Sequence, residues 1–202
     1  MAPTDDSPRR ADLIRSATEL IREDGLHAVS LRKVAQRAGV SHGAPLRHFA
    51  SFAELLSVVA AQGFSTLSAH VDAASAALPP GAGPRARLIA ASHAYVDTAV
   101  GDPHLFALMF RFDALDVDNP HYRREATAAH ERFLACVRAA QDAGWCTGVD
   151  TATLNAAMWS QVHGIATLWS QGALPATLEA GGSLDQVVEL AMALLLDRSP
   201  SG

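Results

Sequence analysis

Apolar residues in this chain return at intervals of three and four, which is the spacing of one face of an α-helix, and no stretch alternates convincingly as a strand would. Arg10–Glu23 sets the pattern, with Leu13, Ile14, Ala17, Leu20 and Ile21 on one stripe before Asp24-Gly25 stops it. Start signals then recur. Ser30 can cap a helix whose inner face is Leu31, Val34, Ala35 and Ala38; Gly39 can end it, and Ser41 can cap a short one over His42–His48. Ser51 to about Ala77 reads as a fourth, with Leu55, Leu56, Val59, Phe64 and Leu67 as candidates for burial.

Leu78-Pro79-Pro80-Gly81-Ala82-Gly83-Pro84 is the clearest break in the chain. Beyond it, Arg85–Val100 reads as helix. Asp102-Pro103 and Asn119-Pro120 each pair a cap with proline at the first helical position, opening Pro103–Phe112 and a helix to about Ala143. Asp150 caps Thr151–Gln171, Gly172–Gly182 breaks it, and Ser183 caps a last helix with Leu184, Val187, Val188, Ala191, Leu194 and Leu195. The expectation is an all-α chain of about nine helices. Aromatic content of only 6% agrees with it.

Charge divides the 202 residues unevenly. The net of −5 hides eight Arg/Lys against seven Asp/Glu in residues 1–60 and eight against fourteen in the rest. Within the first part, Gly25–Ala50 holds Arg32, Lys33, Arg37 and Arg47 and no acid. Cys136 and Cys146 are too few for a disulfide framework; Cys136 shares a side with Phe133 and reads as buried, and Cys146, after Trp145 at a turn, is expected to be the more exposed thiol. The charge-free run Thr151–Leu178 is interrupted by Asn155, Ser160, Gln161, His163 and Gln171, too often for a membrane span of about 20 residues. The expected class is a cytoplasmic protein with no membrane partner.

Two short helices around a glycine turn, with small Ala35, Gly39 four residues on and apolar Val40, fit the helix-turn-helix description. Such hairpins are common in helical bundles. The acid-free basic face is what favours DNA.

Residues 10–56 resemble the DNA-binding domain of TetR-type transcriptional regulators. The resemblance is carried by Ala17-x-Glu19-Leu20-Ile21, Gly25, Ser30-Leu31-Arg32-Lys33-Val34-Ala35, Ala38-Gly39-Val40-Ser41-His42-Gly43, Arg47-His48-Phe49, Ser51 and Glu54-Leu55-Leu56. The second half resembles a regulatory domain of the same family, through Trp159-x-x-x-His163-Gly164. The likeness implies an N-terminal three-helix DNA-binding domain in 1–56, a connecting helix and Pro/Gly-rich linker in 57–84, and a ligand-binding and dimerisation domain in 85–202. Two places depart from the family's pattern: the tripeptide Ala44-Pro45-Leu46 stands for Thr-Leu-Tyr, and Phe52 for a lysine.

On this reading Arg32, Lys33 and His48 meet phosphates, and Ser41 with the N–H groups beside it receives another. Gly43 permits close approach, and His42, Ala44 and Arg47 reach base edges, Arg47 suiting guanine. Phe49 plugs the core. The expected partners are a palindromic double-stranded operator, a second copy of the chain and a small apolar or aromatic effector. Tyr95, Phe106, Met109, Phe110, Phe133, Trp159 and His163 are the candidate effector-binding residues, Tyr95 and His163 supplying the polar groups. An aromatic stripe such as Phe106, Met109, Phe110, Phe133 and Trp159 is usually just core, and that reading stands for most of them; His163 reads equally as a core histidine. Thr151–Gln171, apolar nearly all round, and the last helix would supply the dimer face.

Neither a nucleophile elbow, a metalloprotease helix, a phosphate-cradling glycine loop nor a paired-cysteine metal signature is present in the sequence. No catalytic residue, metal ligand or cofactor is expected. The rival reading is an all-helical small-molecule binding protein that does not regulate DNA, with an enzyme third.

Overall fold

The computed structural model describes residues 8–178 and 182–196. They form ten α-helices and no strand among the described residues. In chain order these are α1 (Pro8–Asp24), α2 (Leu31–Arg37), α3 (Pro45–His48), α4 (Phe52–Ala76), α5 (Pro84–Gly101), α6 (Pro103–Met109), α7 (Pro120–Asp142), α8 (Thr151–Ser170), α9 (Ala173–Thr177) and α10 (Leu184–Leu196). A 3-10 turn, Leu26–Ala28, stands before α2. The chain divides into two compact units, one of residues 1–65 with 102–127, the other of 66–101 with 128–202.

The first unit is built on the stripe of α1. Leu13, Ala17 and Ile21 are fully buried, as are Val34 and Ala35 of α2 and Leu55 and Val59 of α4. At the far end of α1, Arg22 Nε donates to Asp102 Oδ2 at 2.6 Å, while Asp102 Oδ1 caps α6 by accepting from Leu105 N–H. His104 Nδ1 lies 2.9 Å from the Arg22 carbonyl. Gly63 lets α4 approach α6 closely: a Cβ there would stand 2.6 Å from Met109 Sδ. Asn119 Oδ1 accepts from the N–H groups of His121 and Tyr122, starting α7 as the Asn-Pro signal predicts. α4 is long and apolar enough to cross a membrane, but its Leu55, Leu56, Val58, Val59, Ala60 and Ala61 are core residues of this unit.

In the second unit, α8 packs on α5, and α10 packs on both. Leu88, Val96 and Ala99 of α5, Met158, Val162 and Ala166 of α8, and Val188 and Met192 of α10 are fully buried. Asp150 caps α8 through Thr153 N–H, and Ser183 and Gln186 cap α10 reciprocally.

Four expectations need correction. The segment Gly172–Gly182, read as a plain break, contains the extra helix α9. The short helix read as His42–His48 is only α3, because Ala44 N–H bonds the Ser41 carbonyl across a turn and Pro45 begins the helix; Ser41 does not cap it. α6 ends at Met109, which leaves Phe112 in the following loop and exposed. Cys146, expected to be the more exposed thiol, is buried, while Cys136 is half-buried. Its cause is Gln141, whose amide donates to the carbonyls of Cys146 and Val149 and holds the turn against α7.

Candidate functional site

The α2–α3 pair is fixed by its turn. Gly39, at φ +67°, allows Val40 N–H to reach the Ala35 carbonyl at 3.0 Å and Gly39 N–H to reach Gln36 at 3.2 Å, the two bonds of a Schellman stop. Ser30 Oγ accepts from Lys33 N–H at the other end of α2. Pro45 and Phe49 are buried and anchor α3, and the Arg10 guanidinium stacks 4.9 Å above the Phe49 ring. Ser51 accepts from Glu54 N–H and the Glu54 carboxylate from Ala50 N–H, so the chain leaving α3 is also tied.

This scaffold leaves Arg32, Lys33, Ser41, His42, Gly43 and Arg47 exposed, with Ala44 and His48 half-buried. Lys33 Nζ donates to the Ala28 carbonyl at 2.7 Å, which positions the ammonium without neutralising it. Arg37 differs. Its guanidinium holds the Glu23 carboxylate in a two-pronged pair, with Glu19 at 3.9 Å. That pairing raises the Arg37 pKa and lowers that of Glu23, chiefly through the hydrogen bonds between them. Among the described residues, the other three cations of the acid-free segment, Arg32, Lys33 and Arg47, have no carboxylate partner. Glu23 lies fourteen residues from Arg37, so no local spacing announces the pair. Arg10 over Phe49 is likewise a tertiary contact.

The candidate effector residues fall in both units. Phe106, Met109 and Phe110 belong to the first, where Phe110 meets Phe64 and Phe106 edge-on at 5.5 and 5.1 Å. The Met109 carbonyl accepts from Tyr122 O–H at 3.1 Å. Tyr95, Phe133, Trp159 and His163 belong to the second unit and are brought together. Trp159 Nε1–H donates to Tyr95 Oη at 3.0 Å, which leaves the hydroxyl proton for His163 Nδ1 at 2.8 Å. Phe133 lies 6.5 Å from the Tyr95 ring. Burial pushes the Tyr95 pKa far above the ordinary phenol value and holds that of the His163 imidazole below its own, so both are neutral near pH 7.

Trp159, at 38% exposure, is open to solvent on one side. There it lines a cleft of about 490 Å³ with Leu134, His130, Arg138, Asn155 and Ala156. Among the described residues, no group of three His, Cys, Asp or Glu side chains is placed to hold a metal ion.

Comparison with known proteins finds matches to two segments of the chain. Residues 13–59 match the bacterial regulatory proteins of the tetR family, and residues 88–194 match the tetracyclin repressor-like C-terminal domain. The chain is 33% identical over 138 residues to the HTH-type transcriptional activator FasR of Mycolicibacterium smegmatis (strain ATCC 700084 / mc(2)155), a match that takes in 66% of this chain and 58% of that protein. The chain thus spans less than two thirds of the length of that relative.

A solved structure of a protein with unknown function from Rhodococcus sp. RHA1 superposes with a TM-score of 0.80 at 30% identity, over 98% of both chains. The regulator FadR from Bacillus subtilis, solved in complex with stearoyl-CoA, shares the fold, with a TM-score of 0.65 at 17% identity over 92% of this chain and 97% of that one. An all-helical chain with a basic helix-turn-helix at its N-terminal end, matched in both halves, belongs to the tetR family of DNA-binding bacterial transcriptional regulators.

Proposed function

We propose that this regulator is a cytoplasmic homodimer that binds a palindromic operator through α2 and α3 and releases it when a small apolar effector binds. The observation that carries the DNA reading is the exposed, acid-free face holding Arg32, Lys33, His42 and Arg47 on a helix pair locked by Gly39 and Phe49. Arg32, Lys33, Ser41 and His48 are assigned to phosphates, and His42, Ala44 and Arg47 to base edges, with Gly43 giving close approach. Residues 1–56 form the reading head, 57–84 the connection, and 85–202 the effector and dimer domain.

For dimerisation the support is apolar surface. Leu168 of α8 and Leu190 and Leu194 of α10 are exposed, the last two one turn apart. Two helices from each subunit would cover them. The effector reading rests on Tyr95, Phe133, Trp159 and His163, a mostly apolar group with neutral polar atoms. The Bacillus subtilis neighbour was solved with stearoyl-CoA, whose long acyl chain belongs to the apolar class argued here.

The test begins with DNA fragments that the full chain retains from its own genome, footprinted to a symmetric site. Anisotropy of that duplex should fall on adding stearoyl-CoA, a free long-chain fatty acid or a hydrophobic aromatic compound, and Trp159 emission should change at the same concentration. Emission that responds while DNA affinity never does would leave a binding protein and remove the sensor. A second reading, activation, is favoured by the name of the Mycolicibacterium smegmatis relative. Transcription in vitro from the bound promoter separates the two by sign.

A further inference from the structure

We propose that Leu46 reads the C5-methyl group of a thymine, so that the half-site is recognised by a hydrocarbon contact beside the guanidinium of Arg47. This rests on the DNA-binding reading above and adds to it a base preference that no cation on this face can supply.

α3 has four residues, and Pro45 and its following neighbour Phe49 are buried in the head. The side chains that α3 turns fully outward are therefore Leu46 and Arg47. Leu46 is 58% exposed, on a surface whose other outward groups are His42, Arg32, Lys33 and Arg47. Its outward position is fixed, because Pro45 and Phe49 hold the helix from both sides and Gly39 holds the turn before it.

A leucine has no donor for a phosphate, so positioning on the backbone is closed to it. In the major groove, the edges of adenine, guanine and cytosine offer polar nitrogen and oxygen atoms and no methyl group, so a hydrocarbon there would bury those atoms without a partner. The exception is thymine, whose C5-methyl group matches it. Successive helical residues point about 100° apart, so Leu46 and Arg47 address neighbouring positions and do not compete for one base. The expected half-site accordingly carries a thymine close to the guanine taken by Arg47.

Removing one methyl from an apolar contact costs about fourfold in affinity, and about fifteenfold when two symmetric half-sites both lose it. The experiment uses the genomic duplex that the full chain retains, resynthesised with deoxyuridine for each thymine in turn, so that only the methyl is lost. Wild type, Leu46→Ala and Leu46→Met are titrated against each duplex, with helix content checked by circular dichroism. At one thymine per half-site, deoxyuridine should weaken wild type and Leu46→Met by about these factors and leave Leu46→Ala unchanged. Equal losses for wild type and Leu46→Ala at every position overturn the leucine–methyl contact while DNA binding stands. Retention of no genomic fragment removes the DNA reading, and this inference with it.

Discussion

The two units handle polar groups in opposite ways. In the first, Arg32, Lys33 and Arg47 of α2 and α3 stand in water, and the apolar side chains beneath them only hold their backbone in place. In the second, the polar atoms of Tyr95, Trp159 and His163 are spent on one another beside Phe133. Many separate, weakly coupled contacts suit a long polyanion. A small number of mutually dependent bonds suits a group that must respond as a whole when one partner is displaced.

Breaking that contrast in the head should give the largest effect. Phe49→Ala removes a ring that is 1% exposed and should cost about 3–5 kcal/mol by chemical denaturation. Leu46→Ala, three residues earlier, should leave stability nearly unchanged. Comparable losses at both positions would mean that α3 is not anchored through its inner face. Next, Arg47→Ala should weaken binding to the selected operator by about 1–3 kcal/mol, measured by anisotropy. Arg37→Ala should change that affinity little, since Glu23 already occupies its guanidinium. A reversed order of the two arginines would move the reading surface to the other side of α2.

Gly63→Ala tests the packing beneath. The new methyl meets the buried Met109 side chain and should destabilise by about 1–2 kcal/mol, and the double change with Met109→Ala should cost less than the sum of the two single changes. The smallest effect belongs to the second unit. Burial holds His163 below its ordinary value of 6.5, so the unfolded chain takes up a proton there before the folded chain does. Stability from this group is therefore full above about pH 6.5 and is lost as pH falls below it. Melting temperatures between pH 7.5 and 5.5 should fall more steeply for wild type than for His163→Gln. Equal slopes would show that His163 is solvated and that its bond to Tyr95 does not persist in solution.

Helix starts were readable from sequence wherever a side chain supplies the missing partner: Ser30, Asp102, Asn119, Asp150 and Ser183 all do so. α3 was readable only in part, because Pro45 rather than Ser41 decides where it begins. Local pattern placed Trp159 and His163 on one face of α8, being four residues apart. Tyr95, 68 residues before His163, was picked for its polarity alone, and its bonds to both are tertiary facts. The pairing of Arg37 with Glu23 and the Arg10–Phe49 stack were invisible for the same reason. Short-range spacing reports the backbone, whereas long-range partners decide which charges are left to act.

The Arg37–Glu23 pair also sets how the head responds to ionic strength. Each phosphate neutralised on duplex DNA releases condensed counterions, and the logarithm of affinity falls by about 0.9 per contact for each tenfold rise in salt. On the proposed reading, an unpaired Arg37 would add one such contact to those of Arg32 and Lys33. On that reading Glu23, by holding it internally, would make the head less sensitive to salt by about that amount. It would also withdraw one cation that grips any duplex alike, leaving a larger share of the affinity to the side chains assigned to the bases.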